Sequence, residues 1–247
     1  MIGDQTTNRV VRLELASGGA TLLPPLSVPV HDAAGGLVDG DAVVVGGGNT
    51  SEQAVVQSLS RGGWRQIGGL PTSRSDLSVV EWRHHAYVIG GYDGASEPRT
   101  ILRISSAGAP HAAGTLIHGV RYAATARVGS QVFVIGGEVA GHELDTIQRI
   151  DLATGRVRSA GHLPTPLGHA MAAAVGGRIL VMGGRVTPLR PTDVMWWFDP
   201  ATQRCHRAGR LPEPLSDAAV SSDGRRIWLL GGERPAVTDD VTVVTLS

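Results

Sequence analysis

Five short apolar runs in the chain each end in a pair of glycines: Val43–Gly47, Tyr87–Gly91, Val132–Gly137, Ile179–Gly184 and Ile227–Gly232. The first glycines stand at 46, 90, 136, 183 and 231, in steps of 44, 46, 47 and 48 residues. A second landmark keeps the same register: Leu26, Leu70, Leu116, Leu163 and Leu211 each lie 20 residues before the first glycine of a pair. Two positions before each Leu stands Pro24, Gly68, Gly114, Gly161 or Gly209. A period of this length, repeated five times, implies an array of one supersecondary unit in which each copy buries its apolar face on the next.

Each unit reads as four short strands. A small, semi-alternating run after the Leu turn (Ala123–Val128, Ala170–Val175) is the first, and the run into the glycines is the second. A polar loop of about eight residues follows, an ordinary length for a strand connection. The third strand is Val55–Ser60, Thr100–Ser105, Thr146–Asp151 or Val194–Asp199, and the fourth carries Gln66 or Arg158. Val, Ile and aromatics bounded by Gly, Pro and Asp clusters suit strands, and no segment sustains a 3.6-residue period with caps. The chain is expected to be all-β. Four antiparallel strands every 40 to 50 residues are the signature of β-propeller blades.

The run into Gly-Gly, the Leu-Pro turns (Leu70-Pro71, Leu163-Pro164, Leu211-Pro212) and Trp64, six residues before Leu70, resemble kelch repeats over nearly the whole chain. The aromatic that kelch repeats place three residues before the first glycine is kept as Tyr87, Phe133 and Trp228 and replaced by Val43 and Leu180. The Trp position otherwise holds Ala20, Pro110, Val157 and Cys205. The resemblance implies a propeller of four-stranded kelch-type blades.

One domain, 1–247, is expected, with full repeats at 26–69, 70–115, 116–162 and 163–210 and a partial one at 211–247. Asn8–Gly18 aligns with Asp145–Gly155, so residues 1–25 read as the third and fourth strands of a closing blade, with Met1 in the place of Glu138. That makes 21 strands, one more than five blades need. Five blades closed by pairing N- and C-terminal strands would remove exposed sheet edges. Six blades follow if the chain is a fragment of an exported or membrane-anchored protein. The opening Met1-Ile2-Gly3-Asp4 has neither a charged nor an apolar leader region, so no signal peptide is expected.

Charge narrows the partners. Twenty-two arginines balance 22 acidic residues, so no net field draws in nucleic acid or anionic lipid. No apolar run reaches the length of a membrane span, so no membrane insertion is expected. The single cysteine excludes an internal disulfide framework and a Cys-based zinc cluster.

Strand direction alternates within a blade, so the loops after strands two and four share one face. That face collects Tyr92, Asp93, Glu138, Arg185 and Glu233 after the glycine pairs, and Arg74, Asp76, Arg121, Tyr122, His169 and Asp217 after the Leu turns. Asp32, Asp76, Tyr122, His169 and Asp217 occupy one repeat position. In kelch domains that recruit peptides the equivalent loops carry the contacts. Arg74, Arg121, Arg185, Tyr92 and Tyr122 are therefore the contact candidates, Arg and Tyr being common at hot spots. The competing reading is structural: Asp at a strand start bonds backbone amides, and Arg beside acids pairs between blades.

The expected function is a non-catalytic binding or scaffold module, a monomer presenting a loop face to a protein, peptide or glycan, with no cofactor and no metal. The alternative is a carbohydrate-active enzyme on a kelch scaffold. A mutarotase or epimerase would draw its acid–base pair from Glu138, His169 and Glu233. A galactose oxidase-like enzyme would need copper and a Cys–Tyr crosslink, whereas Cys205 reads as a core residue.

Overall fold

In the computed structural model, residues 6–106, 108–234 and 236–246 are described. Residues 1–5, aligned above with the turn after a glycine pair, lie outside them. A hairpin, β1 (Val10–Glu14) and β2 (Gly19–Leu23), comes first. The first blade is β3 (Ala34–Val38), β4 (Asp41–Val45), β5 (Val55–Ser60) and β6 (Gly63–Gly69); the second is β7 (Ser75–Trp82), β8 (His85–Tyr92), β9 (Thr100–Ile104) and β10 (Pro110–Thr115). The third blade is β11 (Ala124–Val128), β12 (Gln131–Ile135), β15 (Thr146–Asp151) and β16 (Arg156–His162), with a small hairpin, β13 (Glu138–Val139) and β14 (His142–Glu143), in its middle loop. The fourth repeats this plan: β17 (Met171–Val175), β18 (Arg178–Met182), β21 (Val194–Asp199) and β22 (Arg204–Arg210), with β19 (Arg185–Thr187) and β20 (Arg190–Pro191) as its hairpin. A three-stranded fifth sheet, β23 (Ala219–Ser222), β24 (Arg226–Leu230) and β25 (Val241–Thr245), ends the chain.

The five sheets form an all-β propeller. Every strand pair is antiparallel, and each blade runs from inner to outer strand in chain order. No helix among the described residues is long and apolar enough to cross a membrane.

The sequence landmarks are packing points. Leu26, Leu70, Leu116, Leu163 and Leu211 are all buried. Both glycines of each pair have positive φ, a conformation costly to residues with a Cβ. The first also lies against the neighbouring blade: a Cβ on Gly183 would collide with the Leu215 carbonyl oxygen. The amide of the second glycine donates across the same boundary, Gly47 to Arg74 O (2.8 Å), Gly91 to Val120 O (2.9 Å), Gly137 to Leu167 O (2.8 Å) and Gly184 to Leu215 O (2.8 Å). The glycine pair is thus the seam between blades. Apolar cores fill the interfaces, with Phe133 of one blade edge-on to Phe198 of the next at 5.5 Å.

The expected closure is corrected by the strand pairing. Among the described residues β1 pairs only with β2, and β25 only with β24. Each terminal element follows its own apolar face. Val10 packs beside Leu26, Val30, Val44 and Trp64, whereas Val244 and Leu246 pack into the interface with the fourth blade.

Candidate functional site

The repeat position holding Asp32, Asp76, Tyr122, His169 and Asp217 has positive φ in all five copies, between 48° and 58°. Non-glycine residues in this region are uncommon, with Asp and His among the more tolerant. Their backbones explain the conformation. Asp76 N–H donates to Asp32 O (3.0 Å), Tyr122 to Asp76 O (3.1 Å), His169 to Tyr122 O (2.9 Å) and Asp217 to His169 O (3.1 Å). One amide and one carbonyl per blade are linked around the axis, and the side chains are turned into a central cavity. That cavity has a volume of about 450 Å³ and is lined by all five, together with Arg185 and Glu233.

Arg185 and Glu233 reach the pocket because the two loops of each blade are bonded to one another. The residue after each glycine pair bridges the residue before the left-handed position: His31 with Gly48, Arg121 with Glu138, Gly168 with Arg185 and Ser216 with Glu233. Ser75 pairs with Tyr92 in the same place of the second blade.

The ionisable groups form two connected sets. In one, Arg121 donates through Nε to Glu138 Oε1 (3.1 Å) and through Nη2 to the same oxygen, and its Nη1 lies 3.9 Å from Asp76. The guanidinium rests over Tyr92 (4.9 Å) and Tyr122 (5.5 Å), a cation–π arrangement. In the other, His169 Nδ1 donates to Asp217 Oδ1 (2.6 Å). Arg185 donates to Asp217 Oδ2 (2.9 Å), to Ser216 Oγ (3.2 Å) and to Glu233. The sets meet where Tyr122 stacks on His169 at 3.9 Å and His169 Nε2 faces Glu138 at 3.8 Å.

Burial and the Asp32 charge push the Asp76 carboxyl up to about 6, although hydrogen bonds from Tyr122 and Ser75 and the Arg121 charge oppose the shift. Burial and the same carboxylates hold the Tyr122 hydroxyl well above its ordinary value. Asp76 and Tyr122 therefore form a hydrogen-bonded pair that keeps its protons to higher pH than either group does in water.

Of the candidates read from the sequence, Asp76, Tyr122, His169, Arg185, Asp217 and Glu233 line the cavity. Arg121, Glu138 and Tyr92 stand behind it and hold its wall. Two lie elsewhere. Asp93 caps its own turn, accepting from Ala95 N (3.0 Å) and Ser96 N (2.8 Å). Arg74 is only 2% exposed and donates to Gly90 O (3.1 Å) and Thr100 O (2.9 Å) between blades. The repeat carries the signal for Arg74: the other residues four places after the Leu are Val30, Val120, Leu167 and Leu215, all buried. Asp32, with His31 Nδ1 donating to it at 3.0 Å, and Ser216 join the site although neither was among the candidates.

The residues do not fit a copper site of the oxidase type. Cys205 sits on β22 against the core between the third and fourth blades, with no tyrosine in that cluster, and burial raises its thiol to about 11. Among the described residues, no group of three or more His, Cys, Asp or Glu side chains is arranged to hold a metal ion.

A family model described as "Kelch motif" matches residues 167–212. No curated protein matches the chain. A solved structure titled "Structure of YjhT" superposes with a TM-score of 0.86, covering 100% of this chain and 91% of that one at 14% identity. The family-model match takes in the glycine seam and all four strands of the fourth blade, and the superposition supports a β-propeller fold over the whole chain.

Proposed function

We propose that the propeller is a binding module whose axial cavity takes the polar end of a glycan or peptide, with the surrounding loops contacting the remainder. One observation carries this reading: the left-handed position of every blade aims a polar side chain into one cavity, and the backbone fixes where each side chain starts. Rigid placement lowers the ordering cost of binding. At the cavity and its wall stand the acids Asp32, Asp76, Glu138, Asp217 and Glu233. Both nearby arginines, Arg121 and Arg185, are already paired with members of that set. The free capacity is for accepting hydrogen bonds, which suits sugar hydroxyls, amides and ammonium groups. A nucleic acid would ask instead for unpaired cations along a stripe.

Isothermal titration of wild type and Asp217→Asn against neutral and amino-bearing oligosaccharides and short peptides tests the reading. A ligand bound by wild type should weaken at least tenfold with the variant at matched melting temperature. Affinity unmoved by the substitution overturns the cavity as the site.

A second reading, acid–base catalysis on a sugar, is favoured by the Asp76–Tyr122 and His169–Asp217 pairs. Interconverting anomers requires one group to take the anomeric hydroxyl proton while another protonates the ring oxygen. These pairs flank one cavity, and Asp76 changes protonation near neutral pH. NMR exchange rates between anomers, with Asp76→Asn as the control, separate an enzyme from a binder.

A further inference from the structure

The third blade carries a second pocket, at the opposite end from the axial cavity. Tyr122 and Glu138 stand where β11 begins and β12 ends, whereas Gln131 opens β12. Arg149 and Asp151 lie on β15, Arg156 and Arg158 on β16, and Thr154 in the turn between them. The register sets these side chains on one face: Gln131 pairs with Asp151, Arg149 with Arg158 and Asp151 with Arg156. Together the six line a cavity of about 210 Å³.

The repeat does not require this charge. The pairs equivalent to Arg149–Arg158 are Ser58–Arg65, Arg103–His111 and Trp197–His206. Of these four blades the third alone sets two arginines directly opposite one another, an arrangement that costs stability. Its own acid does not relieve them. Asp151 Oδ1 accepts from Ala153 N (2.9 Å) and Thr154 N (3.2 Å), and Oδ2 accepts from Gln131 Nε2 (3.3 Å). Among the described residues no carboxylate stands within ion-pair distance of Arg149, Arg156 or Arg158. In the fourth blade a stack occupies the same positions, Arg178 in the place of Gln131 lying 4.4 Å over the ring of Trp197 in the place of Arg149.

A second observation points to a ligand. Gln131 Oε1 is buried and accepts no hydrogen bond. Its orientation is fixed, because a flipped amide would set this oxygen against Asp151 Oδ2. An orphaned buried acceptor beside three uncompensated cations calls for a ligand that brings negative charge and a hydrogen-bond donor together.

We propose that this pocket binds the phosphate monoester of a carbohydrate. Three arginines against one aspartate leave two positive charges, matching the charge of about −1.5 to −2 on a phosphate monoester at neutral pH. Guanidinium forks address its oxygens in pairs, and a sugar hydroxyl beside the phosphate donates to Gln131 Oε1. The pocket is smaller than the roughly 300–1,000 Å³ of ordinary ligand sites, so it takes the phosphate and the adjoining hydroxyl, not a whole oligosaccharide. The site is separate from the axial cavity and does not depend on what that cavity binds.

Isothermal titration of the whole protein with glucose 6-phosphate tests this. Saturable binding is expected, at least tenfold weaker for Arg149→Gln/Arg158→Gln and at least threefold weaker for Gln131→Leu. Arg65→Gln, at the place of Arg158 in the first blade, should leave the affinity unchanged. The double variant should melt no lower than wild type, because two opposed charges are removed. Absence of saturable binding, an affinity unmoved by the double variant, or an equal loss with Arg65→Gln would each overturn the proposal. So would a drop in the melting temperature of the double variant, which would make the arginine pair structural. A phosphoserine peptide bound through these arginines in preference to glucose 6-phosphate would overturn the carbohydrate assignment.

Discussion

The interface between the third and fourth blades and the outer face of the last sheet are built from the same repeat yet end in opposite states. In the first, Phe133, Ile135, Ile147, Leu167 and Phe198 are at most 1% exposed. On the second, Val241 and Val243 stay 50% and 48% exposed although they alternate along a third strand as other third-strand residues do. Burial here is decided by whether a neighbouring blade is present, not by the strand's own pattern. A repeat therefore specifies its seam locally and leaves the number of blades to how the ends meet.

Cutting into the closed interface should have the largest effect. Phe198→Ala is expected to cost about 3–5 kcal/mol, the range for emptying a buried aromatic site, read from urea denaturation. Val243→Ala on the open face should cost less than about 0.5 kcal/mol. Equal costs would mean the last sheet is covered in solution and would erase the contrast.

The seam itself comes next. Gly183→Ala combines positive φ with a collision against the Leu215 carbonyl, and a loss of about 2–4 kcal/mol is expected. Gly62→Ala, with open space around it and no left-handed backbone, should lie near zero. A mild Gly183→Ala would show that adjacent blades can slide past one another at the seam.

The smallest effect is pH-dependent. Folding raises the Asp76 carboxyl from its ordinary 3.8 to about 6, so the folded protein holds that proton more tightly than the unfolded chain. Stability contributed by this group is complete below the unfolded value and falls as pH rises through about 6. Asp76→Asn should therefore gain more over wild type at pH 8 than at pH 4, the difference developing as pH rises from about 4 to about 6. Melting curves of both proteins at the two values check the sign. A loss of stability for Asp76→Asn at pH 8 would mean that Asp76 is stabilised as the anion.

The repeat made the strands legible because each landmark performs a backbone or packing task that few residues can fill. The third strands at 55–60, 146–151 and 194–199 match residue for residue. The left-handed set was legible as a position, from its constant offset to the Leu. Its conformation was not, since Asp, Tyr and His share no strong turn preference. Arg74 was misleading because an arginine suggests an exposed contact, while its place in the repeat is an apolar core position where two backbone carbonyls and the Asp93 charge offset its burial. Closure could not be read at all, because it depends on which apolar face Val10 and Val244 each prefer. Arg185 shows the remaining limit: its partners Asp217 and Glu233 are 32 and 48 residues away and meet it only across a blade boundary.

The chain of amides and carbonyls around the axis separates shape from chemistry. Asp, Tyr and His occupy the same left-handed place with the same backbone bonds to their neighbours, so the frame does not depend on which side chain stands there. Such a cavity behaves as a fixed socket with coupled pins, in which Tyr122, His169 and Asp217 lean on one another and new recognition asks for neighbouring positions to change together.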